Sequence, residues 1–137
     1  MQPILLDTCA VIWLAAGEDL SPAAVKRLRS AAEQRDTTFI SPITAWEIGM
    51  LSSRGRLQML ITPQRWFSRA VKQPGVQLAD MSSDLLIESS FLPGRPPRDP
   101  ADRIIAATAR DLGATLITRD HRLLEYAEQG HMKVIEC

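Results

Sequence analysis

The sequence predicts an α/β fold, a three-layer sandwich in which a mostly parallel sheet lies between two layers of helices. Two observations carry this. Short apolar, β-branched runs recur along the chain, and the segments between them begin with helix-start signals. Strands that alternate with helices need crossover connections, and crossovers place the helices on the faces of a parallel sheet.

The first strand is PILL, residues 3 to 6, and Asp7 after it stands where it can cap a helix beginning near Cys9. The dipeptides Ser21-Pro22, Ser41-Pro42, Thr62-Pro63 and Asp99-Pro100 each start a helix. In each, the oxygen of the first residue accepts a free backbone N–H, and proline sits where its missing N–H does no harm. The other strands are TTFIS at 37 to 41, VQLA at 76 to 79, ATLIT at 114 to 118 and MKVIE at 132 to 136. A helical pair therefore separates the second strand from the third, and a polar loop, PGRPPRD, precedes the helix that Asp99 opens. No repeat, low-complexity tract or linker interrupts the pattern, so residues 1 to 137 are expected to form one domain.

With 45% apolar residues the chain can build a sizeable core without disulfides, and its two cysteines, Cys9 and Cys137, suit a reducing cytoplasm. Cys9 reads as a small buried apolar group, with a reactive thiol as the alternative. No run approaches membrane-spanning length and no leader-like segment opens the chain, so a protein free of membranes is expected. Sixteen acids balance sixteen bases, so any contact with nucleic acid must be local. Thirteen of the cations are arginine, and Arg95, Arg98, Arg103, Arg110, Arg119 and Arg122 fall in one late segment. Trp13, Trp46, Trp66 and Phe67 are expected in the core or at a subunit contact.

Ligands of an open parallel sheet bind beyond the carboxyl ends of its strands. Asp7 follows the first strand and Asp120 the fourth, so both belong to that edge. A helix packing back on the sheet starts there too, which adds Glu47 and Asp102. In SPITAWEIGMLSS an apolar stripe of Ile43, Trp46, Met50 and Leu51 leaves Glu47 at the position that should complete it, with no Lys or Arg three or four residues away. Asp102 also stands three residues after Asp99, a capping-box-like spacing, and Asp120 could cap HRLLEYAEQ. Capping does not explain why four acids share one edge. Two carboxylates ~5 Å apart repel by roughly 3 kcal/mol at an effective dielectric of 20, and a divalent cation removes that cost. All-oxygen ligands select Mg²⁺ or Mn²⁺ over zinc, and such a site beside arginines suits phosphoryl chemistry. His121 and His131 are isolated and read as surface or loop residues.

LLDTCAVIWL, SPITAWEIGML, DPADRIIAATAR and LITRD, in this order and spacing over nearly the whole chain, resemble the four signature stretches of the PIN-domain ribonucleases. Within that family they look like the VapC-type toxins of bacterial toxin–antitoxin pairs. The resemblance places the family's acids on Asp7, Glu47, Asp102 and Asp120. It puts orienting hydroxyls at Thr8 and Thr118, with Asp99 as a cap and outer acid. It implies strand order 3-2-1-4-5, a homodimer, Mg²⁺- or Mn²⁺-dependent cleavage of RNA (a tRNA or rRNA target), and a VapB-type antitoxin that covers the cleft in the bacterial cytoplasm. Cys9 departs from the pattern, since similar sequences often carry histidine there. Arg98, Arg103 and Arg119 are candidates to position phosphate; the RGR at 54 to 56 reads equally as a phosphate contact or a helix end.

Other readings make different demands. A haloacid-dehalogenase-like phosphatase with Asp7 as nucleophile needs a second aspartate two residues on, where Cys9 stands. A signalling receiver needs paired acids after the first strand, which are missing. A PIN-like scaffold without catalysis differs only in activity, and RNA cleavage sensitive to EDTA separates it from a nuclease.

Overall fold

The computed structural model describes residues 2–137. Each apolar run becomes a strand, trimmed at its ends: β1 (Ile4–Leu6), β2 (Thr38–Ile40), β3 (Val76–Leu78), β4 (Thr115–Thr118) and β5 (Lys133–Glu136). They form one sheet in the order β3-β2-β1-β4-β5 with every neighbouring pair parallel. The predicted sheet and its order are therefore present. β1 is central, with Ile4 opposite Thr38 on one side and Thr115 on the other. It is buried on both faces, which is why its sequence is a continuous apolar run rather than an alternating one.

The period of two along the strands divides the core. Ile4, Leu6, Ile40 and Ile117 face the layer made by α1 (Thr8–Ala16), α2 (Pro22–Gln34) and α4 (Pro63–Val71), where Ala10, Val11, Ala24 and Ala31 are buried and Trp66 and Phe67 pack against them. Leu5 and Leu116 face α6 (Pro100–Leu112) and α7 (His121–Glu128) through Ile105, Ala106, Ala109, Leu123 and Tyr126. These are the three expected layers.

All four capping dipeptides open helices. Ser21, Ser41, Thr62 and Asp99 accept backbone N–H groups at 3.1, 3.1, 3.2 and 2.8 Å, each followed by proline in the first turn. Such a cap contributes about 1 kcal/mol. A short helix, α5 (Ser83–Glu88), capped by Ser82, lies between β3 and the Pro-rich loop and was not foreseen. At six residues it has too few turns to display a period.

The stripe read in α3 (Pro42–Ser53) needs correction. Trp46 is 56% exposed, and the buried residues are Thr44 and Ile48. The helix packs against α1, α4 and α6 together, so the face it buries is not the most apolar one in its sequence. Glu47 lies three residues after Thr44 and beside Ile48, at the rim of the truly buried stripe.

The only ion pair among the described residues, Arg27 to Asp36 at 3.0 Å, lies where the chain enters β1 and β2, at the edge opposite the strands' carboxyl ends. The Arg27 guanidinium beside Asp36 holds that carboxyl below the ordinary range. The loop before α6 is tied to α7. Gln129 accepts the Arg95 N–H at 2.8 Å and donates to the Arg95 carbonyl at 3.0 Å, and the Tyr126 hydroxyl donates to the Pro93 carbonyl at 2.8 Å. Gly94 lets the loop approach: its φ is +70, and a Cβ there would stand 2.5 Å from Gln129 Oε1 and 2.6 Å from His131 Nε2. Gly94→Ala is expected to cost about 2 to 3 kcal/mol, from left-handed strain and lost loop bonds. Gly113→Ala, at φ +61 with nothing crowding the position, should cost only about 1 kcal/mol. Urea denaturation of both variants checks the difference.

Candidate active site

Asp7 leaves β1 and caps α1. Its Oδ1 accepts the Thr8 N–H at 2.8 Å; Oδ2 accepts the Thr118 hydroxyl at 2.6 Å and the Cys9 thiol at 3.6 Å. The residue is 6% exposed, and burial raises its pKa above the ordinary carboxylate value against the bonds from Thr118 and Thr8, with the Asp120 charge adding to the rise.

Glu47 is brought over Thr8 by α3. Its Oε1 accepts the Thr8 hydroxyl at 2.7 Å, and Thr8 Oγ1 lies 3.0 Å from Thr44 Oγ1. A hydroxyl carries one proton, and an ionised Glu47 can only accept. Thr8 must therefore donate to Glu47 and accept from Thr44, which sets a directed chain from Thr44 through Thr8 to Glu47. Burial raises the Glu47 pKa; the Thr8 bond opposes this, and the charges of Asp7, Asp99 and Asp120 add to it.

Asp102 stands in the first turn of α6, where Asp99 Oδ1 caps the helix by accepting the Ala101 and Asp102 N–H groups at 2.8 and 3.3 Å. Burial pushes the Asp102 carboxyl up to about 7, and Asp120, Asp99, Asp7 and Glu47 all push the same way. Asp120 follows β4 and caps α7, accepting the Arg122 N–H at 2.8 Å, while its own N–H donates to Thr118 Oγ1 at 3.1 Å. Thr118, fully buried, thus joins Asp7 to Asp120 across β1 and β4.

The structure brings Asp7, Glu47, Asp102 and Asp120, with Asp99, within reach of one another's charge, and no arginine is among the principal charges acting on Asp7, Glu47 or Asp102. As the side chains stand, no three His, Cys, Asp or Glu among the described residues converge on one metal-holding point. Arg98 is exposed immediately before Asp99, and Arg103 is half-buried on α6 with its charge felt at Tyr126. Arg119, the third arginine expected near phosphate, has partners within the fold. Its Nε and Nη2 donate to the Cys137 carbonyl at 2.9 and 2.6 Å, and its guanidinium lies 3.2 Å from the centre of the Trp13 ring, so it clamps the end of β5 to α1. His121 is exposed and His131 tilts against Tyr126 at 5.4 Å, as loop and surface residues do. The Cys9 thiol is pushed up to about 12 by burial and the Asp7 charge, which leaves it a proton donor rather than a nucleophile. Thr44 was missed in the sequence, although its place three residues before Glu47 puts both on one helix face.

The PIN domain family matches residues 4–129. The chain belongs to the PIN-domain family. It is 32% identical over 124 residues to Ribonuclease VapC22 of Mycobacterium tuberculosis (strain ATCC 25618 / H37Rv), covering 90% of this chain and 91% of that protein. Its fold is similar to the crystal structure of VapBC2 from Rickettsia felis bound to a promoter DNA fragment, with TM-score 0.68, 15% identity and 98% of each chain covered. It is also similar to FitAcB from Neisseria gonorrhoeae, with TM-score 0.55, 21% identity and 96% of each chain covered. No helix among the described residues is long and apolar enough to cross a membrane.

A PIN-domain acid cluster held this way has a pH signature. An acid whose folded pKa is raised binds more protons folded than unfolded between its two values, so stability falls as pH rises through that window. For Asp102 the window runs from roughly 4 to about 7, and Asp7 and Glu47 act in the same direction. The lowered Asp36 works oppositely, but only below roughly pH 4. In EDTA, urea unfolding is expected to give a more stable protein at pH 5 than at pH 8, and Asp102→Asn should flatten that slope while stabilising the protein at pH 8.

Proposed function

We propose that this chain is a metal-dependent endoribonuclease acting as the toxin of a toxin–antitoxin pair, with tRNA or rRNA as its target class. The observation that carries this is a group of carboxylates at the carboxyl edge of a parallel sheet, with Asp7 and Glu47 held by hydroxyls and no arginine among the principal charges acting on Asp7, Glu47 or Asp102. The relation to a ribonuclease at 32% identity supports the chemistry. Fold likeness to VapBC2 and FitAcB supports the antitoxin partner, a VapB-type protein covering the cleft. A homodimer and a bacterial cytoplasmic location complete the proposal.

The donor set fits Mg²⁺ or Mn²⁺. It is all oxygen, it lacks a counter-charge, and Mg²⁺ binds through one or two carboxylates while keeping waters, so three convergent ligands are not required. Asp7, Glu47, Asp102 and Asp120 would supply its carboxylates, one or two directly and the others through its waters. A cation there supplies charge neutralisation at the phosphate's non-bridging oxygens and a more acidic water.

The chain's own residues do the rest. Thr118 and the Thr8 N–H fix both oxygens of Asp7, and Thr8, polarised by Thr44, fixes Glu47 Oε1. Asp120 is oriented by the α7 N–H groups it caps. Asp102, titrating near 7, must release its proton as a cation binds, so affinity for the ion rises with pH.

Asp7→Asn keeps an oxygen for the Thr8 N–H and should leave a folded protein that no longer produces EDTA-sensitive fragments from mixed cellular RNA. Undiminished cleavage by that variant would end the assignment. Millimolar Mn²⁺ should raise the melting temperature of the parent at neutral pH through preferential binding to the native state, and raise it less in Asp7→Asn.

Thr44→Val should lower cleavage by about 10- to 100-fold and weaken Mn²⁺ stabilisation, because supporting hydrogen bonds behind a ligand have effects of that size. Thr44→Ser should recover both; a Val variant equal to the parent would remove the relay from the mechanism.

A further inference from the structure

We infer that Arg95, Arg98 and Arg122 form a phosphate-binding cleft that receives the backbone of single-stranded RNA beside the carboxylates, an inference that rests on the ribonuclease reading above. With acids and bases balanced over the chain, attraction for a polyanion must come from a local concentration of cations. The structure sorts the late arginines. Arg119 is bound to the Cys137 carbonyl and the Trp13 ring, Arg110 donates to the His131 carbonyl at 2.5 Å, and Arg103 is half-buried on α6. Arg95, Arg98 and Arg122 are exposed and make no side-chain hydrogen bond or ion pair among the described residues. These three line one cleft of about 310 Å³. Glu125 also lines it, so one acid offsets one of the three arginines and the cleft stays positive.

Two further observations point to substrate rather than to a solvated surface. The loop carrying Arg95 and Arg98 is held in place: Gln129 brackets the Arg95 backbone on both sides, Tyr126 holds Pro93, and Gly94 permits the approach. Arginine forks projecting from a fixed backbone lose less freedom on meeting a phosphate. The cleft also adjoins the acids through the chain itself. Arg98 directly precedes Asp99, whose charge reaches Glu47 and Asp102, and the Arg122 N–H is held by Asp120 Oδ1 at 2.8 Å. On this reading a strand with its scissile phosphate at the carboxylates would run its neighbouring phosphates past this cleft. Contacts of this kind position the strand and carry no base information, so they contribute to binding equally before and during the reaction.

The test replaces all three residues by glutamine in the full chain and compares it with the parent and with a control in which the exposed Arg29 and Arg65 are replaced. Binding of a fluorescein-labelled single-stranded RNA of mixed sequence is measured against salt in an Asp7→Asn background, and cleavage kinetics with the acids intact. Each lost phosphate contact lowers the slope of log K against log salt by about 0.7, so the triple variant should lose about 2 from the magnitude of its slope. Its KM should rise at least tenfold with kcat within about twofold, and its melting temperature should respond to Mn²⁺ like that of the parent. An unchanged slope and KM would overturn the inference, and so would a fall in kcat at constant KM, which would put these arginines at the reacting phosphate. A parent that neither binds RNA nor cleaves it would remove the ribonuclease reading itself, whereas an active parent with an unaltered triple variant removes only the cleft.

Discussion

The constraint on which the structure turns is the burial of Asp7 at the carboxyl end of a strand covered on both faces. A carboxylate 6% exposed between two apolar layers is costly unless its oxygens are bonded, and here both are. The partners come from the two segments that must be correctly placed for the sheet to exist at all: α1 through the Thr8 N–H, and β4 through Thr118. Thr118 then accepts the Asp120 N–H, so the pairing of β1 with β4 fixes two acids at once. Glu47 and Asp102 arrive on helices that start at the same edge, and the charges of all four add. The price of this arrangement is a cluster that raises its own pKa values, which the apolar layers on both faces must offset.

The position of the molecule's cations follows from the same constraint. The one ion pair among the described residues sits at the far edge of the sheet, where Arg27 meets Asp36, while Arg119 is bound to a carbonyl and a ring, Arg103 is half-buried, and Arg98 and Arg122 face solvent. An arginine packed against Asp102 would have lowered its pKa and steadied the fold, but it would also have cancelled the charge that distinguishes this edge. The separation of anions at the carboxyl edge from cations on the adjoining loop lets one small neutral protein present two opposite fields side by side.

Strand positions, helix starts and the sharing of one edge by Asp7, Glu47, Asp102 and Asp120 were all legible in the sequence, because each depends on local chemistry plus one topological rule. The order of the sheet was not legible from periodicity, since any of several parallel orders satisfies the same alternation; the resemblance supplied it. Three features that the sequence did not display share one cause. Trp46 is exposed because α3 does not bury a single face against the sheet but lies across the edge against three other helices. The partners of Arg119, Trp13 and the Cys137 carbonyl, cannot be read from its neighbours in the chain. Thr44 attracts no notice until Thr8, 36 residues away, is found beside it. In each case the deciding partner is remote in sequence. The short α5 was missed for the opposite reason, since its six residues hold too little local signal.

The donors that hold the acids have a property in common. Thr8, Thr44 and Thr118 are hydroxyls, Cys9 is a thiol kept protonated by a pKa near about 12, and the rest are backbone N–H groups. All orient a carboxylate without adding positive charge. A histidine at position 9, or a lysine near Glu47, would fix the same oxygens while titrating or neutralising them. Neutral donors give direction and favour the ionised form without adding a charge of their own, so the field at the edge is set by the acids. A fold that needed only to bury these acids would have paired them with cations, as it does Asp36. Here it fixes their geometry with neutral donors and leaves their repulsion unpaired, which is the structural feature that favours the proposed cation site.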